Sequence, residues 1–357
     1  MKHRLKYNIK WSVVCIGAGL MFWSFVWSQT TLHRSPVLQY TTDKEVDVTI
    51  FLVSSEDHLP LYYSARLQSP VCMENLCNPI DIEIEWDLLG DFKSYNETPG
   101  DPVTKFDHQP LDSADHQKLK SILANKESLL QDYEIEDLVD TTVKVYSKEI
   151  DAMTGATSKT FDNEIVSGAI YTCYTLWHFV NGELPGQLLR HTKSILDNEL
   201  ILAMIQTRQD NYLNYIFGLP ADDLSECVHR AIGSLIWESD PYISVKAVSA
   251  VHDEYWKSDS TQMILADRFL LKENPVQNAI IQEFSQREVE VEYFPIFVDL
   301  LQDLNKRQRE QVYEILKDSG NKIDDETKNR LLEIFKSPGY ALAAKEYELM
   351  SILGISF

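Results

Sequence analysis

Residues 80–88 (IDIEIEWDL) alternate apolar and acidic side chains at a period of two. That period puts the apolar side chains on one face of a pleated strand and the acids on the other, so it predicts a half-buried antiparallel strand. Leu89-Gly90-Asp91 supplies a turn, and residues 92–95 a returning strand that completes a hairpin. Upstream, Val46 to Val53 (VDVTIFLV) is rich in β-branched residues, and 59–66 is a second, shorter strand candidate. At residues 113–130 the period changes to that of a helix. Leu119, Ile122, Leu123, Leu129 and Leu130 gather on one side, with an N-cap region near Ser113, His116 and Gln117. Residues 141–150 predict a further strand. Residues 163–180 predict a helix carrying Ile165, Val166, Ala169, Ile170, Tyr174, Leu176, Trp177 and Val180, closed by Asn181-Gly182.

From Pro185 onward the period-two signal disappears. Helical segments recur at about 187–206, 209–217, 221–237, 242–256, 259–271, 274–285, 292–304, 306–318, 324–335 and 338–352. Short breaks such as Gly218-Leu219-Pro220, Asp240-Pro241, Asn274-Pro275 and Pro338-Gly339 divide them. The expected fold class is therefore α+β: an N-terminal α/β domain over 46–185, followed by an all-α, solenoid-like domain over 186–357. Self-similarity among the helices is weak, so the second half resembles HEAT-type repeats only loosely; a plain helical bundle is the alternative.

The first 45 residues stand apart. Lys2, His3, Arg4, Lys6 and Lys10 precede an apolar run from Trp11 to Trp27, interrupted by Ser12, Gly17, Gly19 and Ser24. A basic stretch before an apolar run is the pattern of a secretory signal peptide or an N-terminal membrane anchor, assigned to residues 1–28. The run sits at the short end of the ~17–25 residues that span a bilayer, and its terminal Trp residues suit the membrane interface. Cys15 follows Val14, not the small residue a lipoprotein signal would place there. Residues 29–45 are polar and irregular and predict a tether. Export to the periplasm, free or anchored to the membrane, is the expected localisation.

Charge and cysteines narrow the function. With 33 Lys and Arg against 55 Asp and Glu, the chain carries a formal charge of -22. A surface that tracks nucleic-acid phosphates needs clustered cations, so nucleic acid is not an expected partner. Of five cysteines, Cys72 and Cys77 are close enough to favour a local disulfide in an oxidising compartment. A zinc site would need two further ligands, and no second Cys or His pair has the spacing. A redox-active dithiol is less favoured than a staple, because Cys-x-x-Cys spacing is absent. Cys173 and Cys227 fall on apolar helical faces and predict buried thiols. No Ser-His-Asp order, P-loop or dinucleotide-binding glycine pattern is present, so nothing supports a hydrolase.

The densest chemistry lies in Asp151-Ala152-Met153-Thr154-Gly155-Ala156-Thr157-Ser158. Gly155 opens backbone conformations closed to other residues, and Ala156 leaves room beside it. Thr157 presents a hydroxyl just ahead of the predicted helix, where unpaired amides favour a phosphate. On physical grounds alone, a strand-to-helix turn with a capping threonine is the preferred reading of the stretch.

The stretch also resembles the covalent flavinylation motif Asp-x-x-Ser/Thr-Gly-Ala-Thr of FMN-binding domains, such as the C subunit of the sodium-translocating NADH:quinone oxidoreductase and the G subunit of the Rnf complex. That resemblance implies FMN held by a phosphoester to Thr157, with Asp151, Thr154, Gly155 and Ala156 at the other motif positions and Ser158 beside them. It implies a magnesium-dependent flavin transferase as modifying partner, an extracytosolic setting and a role in relaying electrons to a partner protein. The Rnf-type hydroxyl two places past the threonine is replaced by Lys159. Lys105 or His108, in Thr104-Lys105-Phe106-Asp107-His108, are candidates to stabilise a reduced, anionic flavin, though a turn in a loop is the more ordinary reading of the stretch. Trp86, Tyr95, Phe161, Tyr171 and Trp177 are aromatic neighbours to consider, though an aromatic at strand or helix spacing is more often core. The competing functions are a helical-repeat interaction or scaffold protein whose FMN-binding region is not redox active, and a reductase with its own small-molecule substrate.

Overall fold

The computed structural model describes residues 32–70, 79–105, 108–135, 139–146, 153–157, 164–338, 340 and 342–356, with 139–146 and 153–157 described by their backbone alone. The predicted signal or anchor, Cys15, and the Cys72–Cys77 pair lie outside these residues.

Five strands, β1 (His33–Thr41), β2 (Asp47–Ser54), β3 (Pro60–Ser69), β4 (Ile80–Trp86) and β5 (Phe92–Glu97), form an antiparallel meander in that order. The alternation in β4 does what the sequence predicts. Ile80, Ile82, Ile84 and Trp86 are buried, while Asp81, Glu83 and Glu85 stay half-buried on the outer face. Across the ladder Trp86 faces Tyr63, Ile84 faces Ala65 and Tyr95, and Ile82 faces Leu67, which places the buried side chains on one face. β1 occupies part of the stretch expected to be a tether. Its side chains are mostly exposed, so hydropathy could not mark it; backbone pairing with β2 makes it an edge strand.

The outer face is tied by charge. Arg66 Nε and Nη2 donate to Asp81 at 2.7 and 2.6 Å, and Arg34 pairs with Glu83 at 2.8 Å. The Arg66 hydrogen bonds hold the Asp81 carboxyl well below the usual carboxylate range. A depressed folded-state value gives stability that is present above the unfolded value and is lost as pH falls through the folded one. Asp81→Asn should therefore cost about 0.2–1 kcal/mol near neutral pH, the range for exposed pairs. In urea titrations the gap between wild type and variant should narrow as pH falls from about 5 towards 2.

α1 (Ser113–Ala124) buries Leu119, Ile122 and Leu123 as expected. Its N-cap is Asp112, in a capping box with Asp115, not Ser113. The helix also ends earlier than predicted; a 3-10 turn over Leu129–Gln131 buries Leu130 and exposes Leu129. Between it and the next helix lies a two-stranded ribbon of β8 (Val139–Tyr146) and β9 (Met153–Thr157), numbered after the two-residue strands β6 (Thr104–Lys105) and β7 (Gln109–Pro110).

α2 (Ile170–Asn181) opens the helical half. It is followed by α3 (Leu184–Ile195), α4 (Asn198–Thr207), α5 (Asp210–Phe217), α6 (Glu226–Glu238), α7 (Pro241–Ala250), α8 (Asp253–Lys257), α9 (Asp259–Arg268), α10 (Asn274–Ser285), α11 (Tyr293–Leu300), α12 (Lys306–Asp318), α13 (Asp325–Phe335) and α14 (Ala344–Leu353). Pro241 and Pro275 start helices rather than merely separating them: each sits in the first turn, where its missing N–H costs nothing. Asp240 completes one such start by accepting from Tyr242 N at 2.9 Å. Helices pack in two rows. α4, α6 and α8 follow one another, then α9, α11 and α13; on the other side run α5, α7, α10, α12 and α14.

The halves share one buried core. Trp86 Nε1 donates to Val180 O at 3.1 Å, and the Trp86 ring meets Phe179 edge-on at 5.6 Å. Leu88, just past β4, is held at both backbone groups: its N–H donates to Tyr212 Oη (3.1 Å), and its carbonyl accepts from Thr192 Oγ1 (2.5 Å). Tyr63 Oη lies 2.7 Å from Thr192 Oγ1 and 2.8 Å from His191 Nδ1. Each hydroxyl has one proton, so all three contacts are satisfied when His191 donates to Tyr63, Tyr63 to Thr192, and Thr192 to Leu88. Burial lowers the His191 pKa, in keeping with a neutral ring in that chain.

Candidate functional site

The motif residues Thr154, Gly155, Ala156 and Thr157 lie on β9. Asp151 and Ser158 lie outside the described residues, as do Lys159 and Phe161. β9 runs antiparallel to β8, with Met153 opposite Tyr146, Thr154 opposite Val145 and Gly155 opposite Lys144. The register then breaks. Ala156 faces Asp140 and Thr157 faces Val139, so Thr141, Thr142 and Val143 have no partner across the ladder. The interruption falls at the Gly155–Ala156 step, and Thr157 closes the strand at the end of the ribbon away from the chain reversal.

This corrects one expectation. The helix predicted from residue 163 begins at Ile170 instead, where Ala169 provides no side-chain cap. α2 therefore does not directly follow Thr157, and its dipole, confined to the first turn, is no argument for phosphate affinity there. Apolar residues at helical spacing misled the prediction because Ile165 and Val166 are buried in irregular chain leading to the helix. That lead-in is held by Ser128 Oγ donating to Glu164 at 2.5 Å and by Val166 N donating to Cys173 Sγ at 3.3 Å.

α2 is fixed against α1 and the chain that follows it. Trp177 Nε1 donates to Asn125 O (2.8 Å), His178 Nε2 to Leu130 O (3.0 Å) and Asn181 Nδ2 to Leu123 O (3.0 Å). Burial lowers the His178 pKa, in keeping with a neutral ring that donates to Leu130 O. Cys173 is fully buried and burial pushes its thiol up to about 12, which makes it an inert core thiol as predicted. Cys227 is only half-buried, with Ser225 Oγ 2.9 Å from its sulfur. Trp86, Tyr95 and Trp177 are core residues.

Lys105 is committed elsewhere. Its Nζ lies 2.7 Å from Asp115 Oδ2, which also accepts from Asp112 N at 3.1 Å. That bond raises the lysine pKa and lowers that of Asp115. The lysine thus reinforces the α1 capping box. His108 adopts a left-handed backbone (φ 55°) just before β7. Phe106 and Asp107, between them, lie outside the described residues. A polar cluster that the sequence did not reveal sits nearby. Tyr95 Oη is 2.6 Å from His116 Nδ1, and His116 Nε2 is 3.7 Å from Glu97 Oε1, which also accepts from Val103 N at 2.7 Å. The i, i+2 spacing of Tyr95 and Glu97 would have put both on one strand face, but His116 comes from a separate helix.

No family model, no curated protein and no solved structure matches the chain. The seven-residue motif is therefore the basis of any functional assignment. Among the described residues no group of three or more His, Cys, Asp or Glu is placed to hold a metal ion, and no helix is long and apolar enough to cross a membrane.

An FMN phosphoester needs a hydroxyl acceptor and a backbone able to approach the phosphate. The described residues fit that chemistry in kind: Thr157 at the end of a strand, small residues at Gly155 and Ala156, and a neighbouring strand that is unpaired for three residues opposite that step.

Proposed function

We propose that this protein is an extracytosolic flavoprotein that carries FMN covalently on Thr157 and relays electrons between a membrane donor and a partner protein. The sequence Asp151-x-x-Thr154-Gly155-Ala156-Thr157 carries the reading. Support comes from the position of its last four residues on one strand, at an interruption in pairing. Thr157 Oγ1 is the acceptor; Gly155 and Ala156 admit the phosphate, and Asp151, Thr154 and Ser158 complete the motif. In the attachment step a flavin transferase directs the threonine oxygen to the FMN phosphorus of FAD, and AMP leaves. FMN, once bound, accepts and releases electrons. Export through the basic and apolar segment of residues 1–28, cleaved or retained as an anchor, belongs to the same proposal.

The test is co-expression with a magnesium-dependent flavin transferase and a denaturing gel. The wild-type band should fluoresce after denaturation. Thr157→Ala should lose that signal with its circular dichroism unchanged, and a fluorescent Thr157→Ala band would remove Thr157 as acceptor.

A second reading, in which the helical half is the working part of an interaction protein, draws on the packing of alternate helices in two rows. That arrangement is solenoid-like and gives an extended surface of the kind such arrays use for binding. The two readings combine if the helical rows select the redox partner.

A further inference from the structure

The ladder between β8 and β9 sorts the ribbon onto two faces. Residues directly opposite one another in an antiparallel pair share a face, and along each strand the faces alternate. Tyr146 is opposite Met153, Lys144 opposite Gly155 and Val139 opposite Thr157, and Met153, Gly155 and Thr157 alternate along β9. These six residues therefore share one face. Val145, Thr154, Asp140 and Ala156 share the other.

The break in register decides which face holds the charge. Continued unbroken from Val139 and Thr157, the ladder would bring Thr141 opposite Gly155 and leave Lys144 on the Asp140 face. The three residues outside the ladder, Thr141, Thr142 and Val143, move Lys144 opposite Gly155 and onto the Thr157 face. Lys144 is then the one charged residue at a paired position of that face, and Asp140 is on the opposite one. Gly155 places no side chain between Lys144 and Thr157. Diagonal positions of this kind lie about 7–8 Å apart, a span within reach of an ammonium on a four-carbon stem.

A phosphodiester is an anion, and a chain of formal charge -22 offers it no general attraction. The motif from Asp151 to Thr157 contains no cation. The ribbon brings one to it. We propose that Lys144 binds the phosphate of the flavin on Thr157, its ammonium set against the phosphate oxygens from the strand opposite Gly155. This rests on FMN attachment at Thr157 and adds the counter-charge that attachment calls for.

The full chain is loaded by a magnesium-dependent flavin transferase, and the fluorescence of the denatured band is followed with time. The phosphodiester of the loaded protein is then read by 31P NMR. Lys144→Gln should slow loading about tenfold, the loss of one hydrogen bond to a charged group, and should move the 31P resonance. Lys144→Arg keeps the charge and should load at close to the wild-type rate with its resonance near the wild-type position. Lys306→Gln, an exposed site at the start of α12, should change neither. A wild-type 31P resonance in Lys144→Gln overturns the inference at any loading rate, because slower loading alone reports contact with the transferase; the Thr157 assignment then stands. A wild-type chain that takes no flavin, or takes it equally well as Thr157→Ala, overturns both.

Discussion

Trp86→Ala should lower the unfolding free energy by about 3–5 kcal/mol, the cost of emptying a large aromatic site in a packed core. Trp86 is fully buried at the end of β4, opposite Tyr63 on β3, and it meets Phe179 of α2 edge-on. Alanine would remove that packing from both halves at once and would also leave the Val180 carbonyl, 3.1 Å from Nε1 in the native chain, without its donor. The check is urea unfolding followed by circular dichroism, read as a fall in midpoint at unchanged slope. Trp86→Phe keeps one aromatic ring but loses the donor and part of the indole volume, so it should cost about 1–3 kcal/mol. A loss below about 1 kcal/mol for the alanine variant would show that the sheet and the helices do not depend on a common core at this point.

Gly90→Ala should destabilise for a different reason. Gly90, in the turn between β4 and β5, has φ +85°, which an L side chain adopts only at a cost of about 1–2 kcal/mol. A Cβ there would lie 2.7 Å from Pro185 O and 2.9 Å from Pro185 Cα. These are backbone atoms at the start of α3, so a side-chain rotation cannot relieve the clash, and overpacking of this kind adds about 1–3 kcal/mol. Gly100 is the internal control. Its φ is +97°, but a Cβ there meets nothing within 4 Å. Gly100→Ala should therefore show the conformational term alone, and the difference between the two variants measures the seating of the β4–β5 turn on α3. Equal losses for both would mean that the turn is not pressed against Pro185 in solution.

That turn shows where local pattern stops being informative. Asp87 looks like an ordinary turn acid in the sequence. In the structure its Oδ1 accepts from Leu89 N (2.8 Å) and Asp91 N (2.9 Å), and its Oδ2 accepts from Asn211 Nδ2 (2.6 Å) on α5. Burial raises its pKa despite these bonds. A carboxylate with a raised folded-state value contributes stability at low pH that is lost as pH rises through that value, the opposite sense to Asp81. Both residues flank or belong to the same strand; the Arg66 partner of Asp81 and the burial of Asp87 separate their behaviour.

The sequence by itself determined the class of the fold and the elements with strong periodicity. Period-two alternation places β4 and its hairpin, and apolar spacing places α1 and most helices after Pro185, because side-chain direction along a single element is set by backbone geometry alone. It also determined the motif, a property of residue identity. Tertiary structure decided the rest. β1 is exposed, so only its hydrogen bonds to β2 make it a strand. Thr154 to Thr157 lie on a strand because pairing with β8 captures them, and α2 starts only at Ile170. The chain from α3 onward is pressed onto the sheet through Leu88 and Gly90, contacts between residues roughly a hundred positions apart that no local period encodes.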